Sequence, residues 1–191
     1  MKNNWRKAEE VLKNDGVIVL PTDTLYGIIG KALSKKTVER IYEIKGRDKS
    51  KPFIVLITSY KDLEIFGVKI TREQAKILKK FWPGKVTVIL PCLLKKFEYL
   101  HRGKKSIAFR MIGPKNKNLF NLIKKVGPVV APSANPQELK HANTITEARK
   151  YFGNKIDLYI NSGPKTGKSS TLIKFGNDKL IILRQGKVVI N

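Results

Sequence analysis

The apolar runs in this chain are short, and stretches of helical periodicity separate most of them. Gly16–Pro21, Phe53–Ile57, Val86–Leu90, Ser106–Met111 and Pro128–Ala131 are each four to six residues long. Runs of that length fit buried strands, and none approaches the roughly 18–20 residues of a membrane span. Between them, Trp5, Ala8, Val11 and Leu12 recur at helical spacing until Asp15-Gly16, and Val38, Ile41, Tyr42 and Ile44 do so until Gly46. Further helical patterns cover 59–65, 71–82, about 116–126 and about 144–152. A charged connector separates the strands at 86–90 and 106–111. The last third reads as strands at Asp157–Ile160, Ser170–Phe175, Leu180–Arg184 and Lys187–Ile190, with hairpin-like pairing near the end. Interleaved helices and apolar strands specify an α/β domain with a mixed parallel and antiparallel sheet. No repeat and no Pro/Gly-rich linker divides the 191 residues, so a single domain over 1–191 is expected.

Composition narrows the function classes. Thirty-nine Lys and Arg against 15 Asp and Glu give a formal charge of +24, which draws the chain toward polyanions such as nucleotides and nucleic acid. Most of that excess is scattered lysine, which solubilises without defining a site. One cysteine, Cys92, excludes an internal disulfide and a Cys-cluster zinc site. Met1–Trp5 runs into a polar amphipathic stretch with no apolar leader. The expectation is a soluble cytoplasmic protein with no membrane partner.

Several familiar chemistries are missing. Ser162–Ser169 resembles a phosphate-binding P-loop, but Gly163 and Gly167 enclose three residues rather than four, and a strand pattern follows where a helix is required. His101 and His141 stand outside any metal-ligand spacing. His101, among Arg102, Lys104 and Lys105, is expected to be solvated. Cys92 reads as a small core or edge residue. What remains is polar residues at strand ends, where open α/β sheets bind ligands. They are Thr22, Asp23 and Thr24 after the first strand, Ser133 and Asn135 after Pro128–Ala131, and Ser169-Ser170-Thr171 and Arg184 near the last strands. Arg110 interrupts an apolar strand, so its charge must be paired or face a ligand pocket.

These segments, in this order, resemble the YrdC-like threonylcarbamoyl-AMP synthases. The resemblance rests on Pro21-Thr-Asp-Thr-Leu-Tyr-Gly27, Lys45-x-Arg47 with Lys51-Pro52, Trp82-Pro-Gly-Lys-Val-Thr87, Ser106-x-x-x-Arg110, Ala131-Pro-Ser-Ala-Asn135, Ser170-Thr171 and Leu183-Arg184-x-Gly186. It implies a twisted mixed sheet flanked by helices, with a deep basic cleft. It also implies a nucleotidyltransferase joining L-threonine, bicarbonate or CO2, and ATP into L-threonylcarbamoyl-AMP with release of pyrophosphate. That product serves threonylcarbamoyladenosine modification of tRNA beside the anticodon.

Carried over by position, Lys45, Arg47, Ser133 and Asn135 form the catalytic tetrad. Thr24, Arg110, the Ala131 backbone and Ser170 contact threonine. Arg47, Lys51, Ser106, Ser133, His141 and Arg184 contact ATP. Mg²⁺ is expected with the triphosphate, without a protein metal site. A downstream threonylcarbamoyl-transferase complex is the implied partner, with tRNA or RNA a further one. The chain departs from the family pattern where Asn135 is followed by Pro-Gln rather than Ser-Gly. The charge leaves an RNA-binding module using the basic cleft as one alternative, and a related carbamoyl-adenylate-forming enzyme with a different acceptor is another. The chain lacks the aromatic-rich stacking motifs of an RRM.

Overall fold

The computed structural model describes residues 2–176 and 179–190. Chain order is α1 (Lys2–Lys13), β1 (Ile18–Pro21), β2 (Tyr26–Lys31), α2 (Lys35–Lys45), β3 (Ile54–Ile57), α3 (Lys61–Ile65), α4 (Arg72–Lys79), β4 (Val86–Pro91), α5 (Glu98–His101), β5 (Ser106–Met111), α6 (Lys117–Val126), β6 (Val129–Val130), α7 (Ile145–Phe152), β7 (Leu158–Tyr159), β8 (Thr171–Gly176) and β9 (Lys179–Arg184). The nine strands form one sheet in the order β7-β1-β2-β6-β3-β5-β4-β8-β9. Pairing is mixed as expected: β1 with β7, β3 with β5 and β4 with β8 are parallel, and the other neighbours are antiparallel.

The sheet has two unequal faces. One face packs Val19, Ile28, Val55, Val88, Phe109, Val130 and Ile173 into the larger core, together with Ile41 and Tyr42 of α2, Leu78 of α4 and Ala148 of α7. The opposite face of β1, β2, β3 and β6 packs Ile18, Leu20, Ile29, Leu56 and Val129 against Ala8 and Leu12 of α1 and Leu119, Leu122 and Ile123 of α6. Each such fully buried aliphatic side chain contributes about 1.5–3 kcal/mol. Farther along that second face, Ser106, Ala108, Ile89 and Leu172 stay half-buried and Ile181 exposed. The open half of the sheet is where a ligand can reach it.

Local chemistry fixes the elements that bear on the site. Ser34 caps α2 by accepting from the Thr37 N–H at 3.3 Å, and Gly46 ends it in the left-handed conformation at φ 56°. That end delivers Lys45 and Arg47 toward the turn at Ser133–Asn135. The turn after β1 is built by Thr22, whose hydroxyl donates to the Leu25 carbonyl at 2.7 Å and accepts from the Thr24 and Leu25 N–H groups at 3.2 Å.

Two expectations need correction, and one strand is unassigned from sequence: Tyr26–Lys31 hairpins onto β1 as an antiparallel partner. Lys187–Ile190 is not a strand; its polar groups turn inward, with Lys187 N–H donating to the Ser169 carbonyl at 2.8 Å and Thr171 Oγ1 to the Val188 carbonyl. His101 is buried rather than solvated, because Phe97 and Leu100 draw the charged connector into the core as a helical turn.

Candidate active site

A small pocket of about 160 Å³ opens beside Arg110. Thr24, Arg47, Arg110, Ala131, Ser133, Ser170 and Arg184 line it, as do Tyr26 and Gly27. Seven of the residues expected from sequence therefore converge, from six separate segments of the chain.

Arg110 sits at the centre. Its register partner on β3 is the fully buried Leu56, so the guanidinium rises beside the apolar part of the sheet's second face. It is 4% exposed. Nη2 lies 3.0 Å from Asp23 Oδ1, close enough for ion pairing but not aligned as a hydrogen bond. Nη1 donates a long 3.4 Å contact to Thr24 Oγ1, and the buried Nε–H has no partner among the described residues. Burial pulls the Arg110 pKa below its ordinary value, Asp23 opposes that, and nearby Arg184 adds to it. A buried, unsatisfied cationic donor is costly. A bidentate anion would satisfy it.

Ser170 closes another side. Its hydroxyl shares a 2.7 Å hydrogen bond with Thr87 Oγ1, and its carbonyl accepts from Arg184 Nη2 at 2.9 Å. Thr87 reaches it because β4 and β8 pair in parallel with Val86 opposite Thr171. The loop that resembled a P-loop runs from β7 to β8, two strands, and is tied down by Tyr26, whose hydroxyl donates to the Gly163 carbonyl at 2.7 Å and accepts from the Ser162 N–H at 3.0 Å. Arg47 is oriented by its Nε–H donating to the Lys51 carbonyl at 3.0 Å and by the Phe53 ring 5.5 Å away. Burial lowers its pKa as well.

Lys45 and Asn135 do not line the pocket; they build it. Lys45 is 2% exposed, and its ammonium donates to the Ser133 carbonyl at 2.6 Å and to the Asn135 carbonyl. Burial, and secondarily Arg47, pushes its pKa down to about 7. Asn135 spends its side chain locally: Oδ1 accepts from Ser133 Oγ at 2.6 Å, and Nδ2 donates to the Pro136 and Leu139 carbonyls at 2.9 and 2.7 Å. These bonds orient Ser133 and fix the chain beyond it.

Lys51 is exposed beside Arg47. Ser106 shares Arg110's face of β5 but stands four residues away, about 13 Å in an extended strand. His141 lies half-buried on the 136–143 segment, outside the pocket. Sequence reading did not assign Asp23, Thr87 or Tyr26 these contacts. A threonine alternating with valines in Val86-Thr87-Val88 was the available signal for the second.

Residues 10–186 match the Sua5_yciO_yrdC family model, described as Telomere recombination. The chain is 32% identical over 187 residues to a threonylcarbamoyl-AMP synthase of Pyrococcus abyssi, covering 95% of this chain and 53% of that protein. A putative threonylcarbamoyl-AMP synthase of Methanocaldococcus jannaschii is 32% identical over 97% of this chain and 88% of its own length. The crystal structure of Pyrococcus abyssi Sua5 complexed with L-threonine superposes with a TM-score of 0.82 at 31% identity, covering 95% of this chain and 54% of that one. The chain thus spans about half the length of the Pyrococcus relative.

Proposed function

The chain belongs to the Sua5–YciO–YrdC family, and on that premise we propose that it makes L-threonylcarbamoyl-AMP from L-threonine, bicarbonate or CO2, and ATP. The observation that carries this reading is the buried, unpartnered Nε–H of Arg110 in a pocket of about 160 Å³ with hydroxyls on two sides. That volume suits one small amino acid and falls below the roughly 300–1,000 Å³ of clefts that enclose larger ligands. Arg110 takes the threonine carboxylate, and Thr24 and Ser170 offer hydroxyls to its side chain.

The amine of threonine adds to CO2, losing a proton to give the carbamate. A carbamate oxygen then attacks the α-phosphorus of ATP, and pyrophosphate leaves in line. No acyl-enzyme and no histidine base is needed. The work is positioning and charge stabilisation. ATP lies on the open sheet face next to the pocket, where Arg47, Arg184, Lys51 and Ser133 face its phosphates. Lys45 and Asn135 hold the Ser133 turn in place.

Mg²⁺ accompanies the triphosphate in this reading. Among the described residues no three His, Cys, Asp or Glu cluster as a metal cage, and the nearby carboxylate of Asp23 is engaged by Arg110. The product serves tRNA modification through a separate transferase. Among the described residues no helix is long and apolar enough to cross a membrane.

The test is pyrophosphate release by the purified chain. It should require ATP, L-threonine and bicarbonate together, and L-valine should replace threonine poorly, because an unpaired hydroxyl partner costs about 1–3 kcal/mol. Release that ignores threonine or bicarbonate would overturn the reading.

A further inference from the structure

A second cavity, about 970 Å³, adjoins the pocket at Arg110 and is far larger. Thr22 belongs to the walls of both. Asp23 lines the large cavity while pairing with Arg110, which lines the small one. The two spaces are thus neighbours separated by an ion pair, and the reaction proposed above makes no use of the larger.

Its walls combine three kinds of group. Trp5, in the first turn of α1, is half-buried. Among the described residues its ring has no aromatic partner and its indole N–H no acceptor. Packed partly against the α1–α6 core, it adds apolar surface to the cavity together with Pro83 and Ile112. Asn116 and Asn118, at the start of α6, present carboxamides that bond to no other described residue. Lys85 and Lys115 add charge without a carboxylate partner among the described residues. The cavity's acid, Asp23, is already engaged.

We propose that this cavity binds a nucleoside monophosphate unit at a site distinct from the pocket at Arg110. Apolar surface that includes an indole suits a planar heterocycle, since every base can stack on an aromatic face. Free carboxamides offer the adjacent donor and acceptor that a base edge requires. Unpaired lysines take the phosphate as point charges. A lone phosphate would leave the indole wall unused, and an apolar ligand would strand the amides and lysines. The volume lies within the range of small-molecule clefts. The same chemistry is offered by free AMP and by one nucleotide of an RNA strand.

The experiment is equilibrium dialysis of radiolabelled AMP against the full chain, with and without a saturating non-hydrolysable ATP analogue plus L-threonine. One equivalent of AMP should remain bound when the analogue and threonine are present. The Lys85→Glu/Lys115→Glu double variant, altered at half-buried and exposed positions, should bind AMP at least tenfold more weakly, as should Trp5→Leu. Arg184→Ala should retain it. Competition by a short oligoribonucleotide stronger than that of AMP itself would assign the site to RNA, and weaker competition to the free nucleotide. Absence of AMP binding beside the analogue, or its loss in Arg184→Ala with retention in the double lysine variant, would overturn the proposal. Pyrophosphate release measured in parallel separates this outcome from failure of the synthase reading, because a chain that releases none and still holds AMP keeps the second site.

Discussion

Arg110 and Lys45 are both buried cations, and they do opposite things. Arg110 keeps a donor free, so Arg110→Lys should raise the KM for threonine at least tenfold, about 1.4 kcal/mol, with kcat less affected. A point charge cannot grip a carboxylate with two parallel bonds, and unchanged KM would remove Arg110 from the carboxylate site. Lys45 has no free role of that kind. Its folded pKa of about 7 lies below the unfolded value near 10.5, so the unfolded chain binds more protons between those values. Stability therefore rises with pH over that interval, by at most about 1.4 kcal/mol per unit, and is flat below it. Lys45→Met removes the dependence, so the parent's urea midpoint should rise relative to the variant's between pH 7 and 10, and parallel curves would refute the assignment. Sequence alone made the two residues look alike as site cations. What it hid was the pair of backbone carbonyls at Ser133 and Asn135 that claims Lys45, since backbone acceptors leave no trace in residue identity.

At the scale of elements, the site depends on β4 and β8 lying parallel, because that pairing brings Thr87 to Ser170. Ser170→Ala should raise the threonine requirement and leave ATP affinity nearly intact. Lys168→Ala, in the loop before β8, should weaken ATP by less than tenfold, the scale of an exposed charge contact. Paired titrations of both ligands on both variants decide it: loss of nucleotide binding in Lys168→Ala with Ser170→Ala silent would restore the P-loop. Most elements were legible from apolar periodicity. β2 was not, because Gly27 and Gly30 dilute its strand signal. Gly30 is there for space: a Cβ would lie 2.4 Å from Thr37 Cγ2 of α2. The final segment misled in the other direction. Val188, Val189 and Ile190 have strand propensity, but the Thr171 hydroxyl and the Ser169 carbonyl take up backbone groups that a ladder would use.

At the scale of the molecule, the small pocket draws on the loop after β1, the end of α2, β5, the turn after β6, the start of β8 and the end of β9. L-threonine binding should therefore slow amide exchange at residues 22–27, 131–133 and 170–173 together, read by mass spectrometry of peptides. Protection confined to one of these segments would show that the pocket is not the shared site described. The mixed α/β class was readable from the alternation of helix and strand patterns, whereas the strand order was not, because no residue pattern encodes which edge a strand joins. The dispersal of the pocket also bears on how such a protein comes into being. Its walls begin at Thr22 and are completed at Arg184, so during synthesis almost the whole domain must emerge before any substrate can be held. A nascent or nicked chain that has not added β9 beside β8 lacks the Arg184 wall, so a ligand of this pocket cannot template the fold from within. Any ligand held there instead rewards completion: it binds only the finished sheet and draws the folding equilibrium after it.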